Sequence, residues 1–182
     1  MATNSSAVFP NTDLSLAVSA GVYHDIQHFL FREALLLDHR RFDEWAELLA
    51  NDVVFRIPAR FARGIGLEVP SGIEYYNDDR RALLAKLKLL KAAIASPAGQ
   101  RQFALQTRRI ITNVIVCPCD RDHYNVLSYL LMTRNDSGDG PCAVFSAERY
   151  DRLRGTGRTL RIVHREIVLD QKNANVDIDM YL

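Results

Sequence analysis

The sequence predicts an α+β domain in which a curved antiparallel sheet wraps around N-terminal helices. Two observations carry this. The first half of the chain is dominated by helical spacing of apolar residues, and from Gln106 onward four β-rich runs alternate with turn compositions. Short connections favour antiparallel neighbours, so the second half is a meander, and helices followed by a meander are the order of an α+β domain. No internal repeat and no second domain is visible. The expected division is a polar arm over residues 1–18 and one domain over 19–182.

The first helix is predicted from about Ala20 to Asp38. At about 100° per residue, Val22, Tyr23, Ile26, Phe29, Leu30, Ala34, Leu36 and Leu37 share a broad face with Glu33 in its middle. His24 and His28 fall on the other side beside Phe31 and Leu35, so the helix is apolar nearly all round. A second helix is expected in "RRFDEWAELLAND", with Phe42, Trp45, Leu48 and Leu49 on one stripe. In "VVFRIPAR", Val53, Phe55 and Ile57 alternate as a half-buried strand that should stop at Pro58. "RGIGLEVPSG" is expected to be a loop. Asp78 or Asp79 then caps a third helix along Leu83, Leu87, Leu90 and Ile94, which ends at "SPAG". The four strands are "TRRIITNVIV", "HYNVLSYLLMTR", "CAVFSAERYDRL" and "TLRIVHREIVLD".

Composition excludes several classes of function. Formal net charge is +1, so no global field draws the chain to nucleic acid or to an anionic membrane. No apolar run is long enough to span a bilayer, and the start "MATNSSAVFPNTD" lacks the features of a signal peptide, which makes the cytoplasm the expected location. Nineteen of the 23 Lys+Arg residues are arginine, the cation favoured in forked carboxylate pairs and at protein interfaces.

The stretch "HDIQH" tests for a metal. His24 and His28 stand four apart, near the H-E-x-x-H zinc pattern, but Asp25 replaces the glutamate. No third ligand is signalled, and Asp43 and Glu47 on the next helix belong to no matching motif. Cys117, Cys119 and Cys142 form no C-x-x-C and are expected to be free thiols. They offer neither the C-x-H nor the C-x-x-H pair of a Rieske cluster. Neither metal nor cofactor is therefore expected in this chain.

Glu33 is the most informative acid. A carboxylate centred on an apolar helix face must be paired, since burying it alone costs several kcal/mol. The expected partner is a sheet arginine, Arg109, Arg149 or Arg165. Trp45, Arg149 and Arg165 join Glu33 as candidate structural residues, and no catalytic residue is assigned.

"FREALLLDHRRFDEWAELLANDVVFRIPAR", followed in order by "YYNDDRRALLAKLKLL", "RRIITNV", "FSAERYDRLR" and "LRIVHREIVLDQ", resembles the β (small) subunits of bacterial aromatic-ring-hydroxylating dioxygenases over roughly residues 20 to 172. The resemblance implies a cone-shaped fold shared with scytalone dehydratase, ketosteroid isomerase and nuclear transport factor. It implies a structural subunit that forms a homotrimer within an α3β3 hexamer, its dioxygenase α subunits carrying the Rieske cluster and mononuclear iron. The tail "NANVDIDMYL", with Asp177 and Asp179, departs from the apolar end usual in that family. The rival expectation is a free-standing dehydratase or isomerase, with Glu33, Asp38, His39, Tyr129 and His164 as its acid–base groups.

Overall fold

The computed structural model describes residues 15–63, 67–97, 106–135 and 142–170, with the backbone alone for 59–63 and 67–74. Most of the expected arm and the tail from residue 171 lie outside the described residues. Helix α1 spans Ala20–Asp38, and α2 spans Phe42–Ala46. Strands β1 (Leu49–Arg63) and β2 (Leu67–Asp79) precede α3 (Arg80–Ala95). Strands β3 (Gln106–Asp120), β4 (His123–Asn135), β5 (Ala143–Arg154) and β6 (Arg161–Leu169) complete the order.

All six strands form one sheet in the order β2-β1-β6-β5-β4-β3. The meander β3 to β6 is antiparallel throughout, as is the β1–β2 pair. Between them β1 lies parallel to β6, with Phe55 opposite Arg165. That one parallel seam joins the N-terminal hairpin to the C-terminal meander.

Helix α1 begins at Ser19, whose hydroxyl accepts from the Val22 N–H at 3.4 Å. It ends without a glycine: Arg40 takes a left-handed φ of 55°, so the Arg41 N–H reaches back to the Leu36 carbonyl at 2.8 Å. Ile26, Phe29, Leu30, Leu36 and Leu37 are buried against the inner face of the sheet. The Tyr23 hydroxyl pins the helix to β3 by donating to the Val114 carbonyl at 3.1 Å. Asp79 caps α3 by accepting from the Ala82 N–H at 2.8 Å, and Leu83, Leu87 and Leu90 point inward.

Three local expectations are corrected. The second helix stops at Ala46, because Leu49 pairs with Ile162 of β6 and the Leu48 carbonyl accepts from the Ile162 N–H at 2.8 Å. Sheet pairing therefore overrides the helical spacing of Leu48 and Leu49. Strand β1 does not stop at Pro58 but runs on to Arg63; the register slips on both sides of Pro58, which accommodates its missing N–H. The expected loop "RGIGLEVPSG" falls largely on β2, whose Pro70 is tolerated because β2 is an edge strand with one neighbour.

Candidate functional site

The inner face of the sheet carries charge where a core would ordinarily be apolar. Residues two apart on a strand share a face, so Ala147, Arg149, Asp151 and Leu153 of β5 all point toward α1. Arg165 enters from β6 directly opposite Asp151. Glu33, Asp151, Arg149 and Arg165 are all buried, as is Trp45.

Arg165 is the hub. Its Nη1 donates to Glu33 Oε1, and Nη2 donates to Glu33 Oε2 at 2.9 Å. Its Nε donates to Asp151 Oδ1 at 2.7 Å while Nη2 also reaches Asp151 Oδ2 at 2.9 Å. Arg149 adds ion pairs to Glu33 at 3.3 Å and to Asp151 at 3.2 Å. Trp45 completes the set, its Nε1–H donating to Glu33 Oε1 at 3.1 Å. Two carboxylates face two guanidiniums, so the cluster is neutral as a whole.

Its electrostatics follow from that arrangement. Burial alone would push the Glu33 carboxyl up, but Arg165 and Arg149, with hydrogen bonds from Arg165 and Trp45, hold it at about 2. Burial alone would likewise lower Arg165, yet Asp151 and Glu33 raise it. Burial and repulsion from Arg165 pull Arg149 down, against the attraction of Asp151 and Glu33. Glu33 is thus an ionised carboxylate with both oxygens occupied, unsuited to accept a substrate proton near neutral pH.

Arg109, the third candidate partner, goes elsewhere. Its Nη1 donates to Asp38 Oδ1 at 2.7 Å, and its backbone N–H donates to Asp38 Oδ2 at 3.0 Å, tying the end of α1 to β3. Burial lowers the Arg109 guanidinium, with Asp38 opposing.

The remaining acid–base candidates do not converge on Glu33. His39 is exposed just beyond α1. Tyr129 and His164 lie on the outer face, in register with Glu148 and Arg152 respectively, both of which alternate with the inward-facing residues of β5. The cleft between α1 and the β5–β6 turn, lined by Val22, Asp25, Ile26, Tyr124, Gly155 and Thr156, is about 10 Å³, room for no more than a water molecule. That is small beside the several hundred Å³ of a typical ligand site.

His24 and His28 are both exposed, and among the described residues no group of three or more His, Cys, Asp and Glu is placed to hold a metal ion. Cys117 is buried on β3 opposite Asn125, whereas Cys142 precedes Ala143, which pairs with Arg134. Those β4 partners are roughly 30 Å apart at strand rise, so the two thiols do not share a cluster. None of the three cysteines is in a disulfide.

Sequence reasoning missed Asp151 and Asp38 as members of this charged layer. The signal for Asp151 was present: it stands two residues from Arg149 in "AERYDRL", on the alternation that also carries Ala147 and Leu153. Asp38, expected as an acid–base group of the rival reading, carried no comparable signal for a buried partner, since it ends α1 instead of standing in the middle of its apolar face.

A family model described as "Ring hydroxylating beta subunit" matches residues 32–175. The chain is 33% identical over 160 residues to the benzene 1,2-dioxygenase subunit beta of Pseudomonas putida, covering 85% of this chain and 84% of that one. It is 31% identical, with the same coverage, to the biphenyl 2,3-dioxygenase subunit beta of Rhodococcus jostii. A solved naphthalene 1,2-dioxygenase structure contains a chain that superposes with a TM-score of 0.73 at 20% identity, covering 91% of this chain and 88% of that one.

Proposed function

The chain belongs to the ring hydroxylating beta subunit family, and from that premise we propose that it supports the catalytic large subunits of an aromatic-ring-hydroxylating dioxygenase in aromatic compound degradation. The observation that carries the structural role is the buried cluster of Glu33, Asp151, Arg149 and Arg165. In the cone-shaped relatives that act as dehydratases or isomerases, chemistry needs an acid–base group open to a pocket. Here the Glu33 carboxylate, set over the centre of the sheet, is enclosed by two guanidiniums and an indole.

We assign the Rieske cluster and the mononuclear iron to the large subunit. The donor set supports this assignment: Cys142 lies far along the sheet from Cys117 and Cys119, and the close histidine pair His24 and His28 is exposed on a helix with no third ligand placed beside it among the described residues. The assembly that follows is a homotrimer within an α3β3 hexamer, closed by three-fold symmetry. In it this chain fixes the spacing between large subunits and performs no proton or electron transfer itself.

Co-expression with a ring-hydroxylating large subunit from the same host tests the reading. The expected result is a stable complex that oxidises an aromatic ring when supplied with electrons, while this chain alone turns over nothing. A chain that stays apart from every such large subunit, or that alone dehydrates or isomerises a small ring compound, overturns it.

A further inference from the structure

The inner face of β4 carries a polar residue in an apolar row. Val126, Leu130 and Met132 point inward and are buried, and Ser128 stands between them, fully buried. Across the ladder Ser128 lies directly opposite Arg149 of β5, which puts their Cβ atoms about 4.5–5.5 Å apart on one face. The Ser128 hydroxyl has no hydrogen-bond partner among the described residues, and neither do Nε and Nη2 of Arg149. Arg80, His123 and His164 also carry such an atom, but those side chains are only part-buried.

Arg165 is the reason Arg149 has donors to spare. It donates to all four oxygens of Glu33 and Asp151, and Trp45 adds a second donor at Glu33 Oε1. Arg149 keeps the attraction of both carboxylates, at 3.3 and 3.2 Å, with Nε and Nη2 aligned on neither. A buried polar group left so pays its full desolvation cost. Native cores meet such groups with an ordered water or an ion.

Charge selects the guest. A cation is repelled by two adjacent guanidiniums. An anion would lie beside Glu33 and Asp151, in a cluster whose own charges already cancel, and would give up all its hydration. Water carries no such cost: its oxygen accepts from Arg149, and a serine hydroxyl can donate to it or accept from it. Serine, smaller than its leucine and methionine neighbours, also leaves space at this point of the row. We propose that one water molecule is built into the core between Ser128 and Arg149, where it accepts from Nη2, exchanges a hydrogen bond with the Ser128 hydroxyl and completes the charged layer beneath α1. The proposal rests on that layer and is independent of the β-subunit reading.

Crystals of the full-length chain, grown once with chloride and once with bromide, test it. The expected result is a density peak within about 3.2 Å of both Ser128 Oγ and Arg149 Nη2, refining as oxygen and giving no bromide anomalous signal. A site without a peak, a direct bond between Ser128 and Arg149, or a bromide signal overturns the proposal. In solution, oxygen relaxation dispersion of the solvent counts long-lived internal waters. Ser128→Val, whose methyls occupy the space, is expected to lower that count by one with an unchanged far-UV spectrum. Ser128→Ala, the milder variant, keeps the water on Arg149 but shortens its residence by roughly tenfold, the loss of one hydrogen bond. An unchanged count in the first variant or an unchanged residence time in the second also overturns it.

Discussion

Arg165 on β6 presents both terminal nitrogens to the Glu33 carboxylate on α1, so one bidentate pair fastens the helix to the centre of the sheet. Such pairs are strong in geometry and modest in net stability, because both charges lose their water. Breaking one side is another matter. Glu33→Ala leaves Arg165 and Arg149 sharing Asp151 alone and frees the Trp45 N–H. The expected loss is about 3–5 kcal/mol, measured as a lower urea midpoint, with Glu33→Gln losing less because the amide still accepts from Trp45.

The same pair sets an acid limit. Glu33 titrates at about 2 in the folded chain against 4.5 ordinarily. Its contribution is therefore complete above about 4.5 and is lost as pH falls toward 2. On the order of 3 kcal/mol is at stake over that range. In Glu33→Gln the slope of stability against pH below 4.5 should flatten.

His164 acts earlier on the pH scale. Burial, together with the charge of Arg56, pulls its imidazole down to about 4 from 6.5, with Asp151 opposing and Arg152 adding repulsion. As pH drops from 6.5 toward 4, the unfolded chain takes up a proton that the folded chain refuses, and stability falls. His164→Asn should remove this slope while leaving the loss below 4.5 in place. Denaturant titrations at pH 7, 5.5, 4.5 and 3 separate the two.

Asp38 secures an edge of the sheet. Asp38→Ala deprives Arg109 of its counter-charge and its backbone N–H of an acceptor, at the strand that has a neighbour on one side only. Both side chains of the pair are nearly buried, so a destabilisation of about 2–4 kcal/mol is expected. Amide exchange should accelerate most along β3 and least along β1 and β6. Uniform acceleration would count against a local role.

Metal analysis checks the assignment of iron to the partner chain. The purified chain should hold no stoichiometric iron or zinc and show no Rieske absorbance. One tightly held ion per chain, lost in His24→Ala, would reverse that assignment.

Much of this was legible in the sequence, and the failures have physical reasons. Glu33 stood out because a carboxylate on an apolar helix face demands a counter-ion, and two of its three candidate arginines do surround it. Local spacing placed α1, α3 and the meander for the same reason: each buries one face against a single neighbour. What local spacing could not show was competition between distant segments. Leu48 and Leu49 have helical spacing, yet they pair with a strand more than a hundred residues later. Pro58 and Pro70 signal breaks, yet a register slip and an edge position remove their cost. Asp151 was overlooked because in a strand rich in charge only the alternation, not the composition, distinguishes inside from outside.

The parallel seam between β1 and β6 bears on how the subunit is made. Its two strands lie at opposite ends of the described domain, and Glu33 waits for a guanidinium 132 residues downstream. While the chain emerges from the ribosome, α1 can meet β3 as the meander forms, but the first hairpin has no strand of that meander to pair with until β6 is made, and contacts so distant in sequence form slowly. Only when β6 arrives do the two halves close and the charges of the core neutralise together. A chain cut short before β6 would leave two core carboxylates, Glu33 and Asp151, to the single guanidinium of Arg149, and open strand edges on β1 and β5.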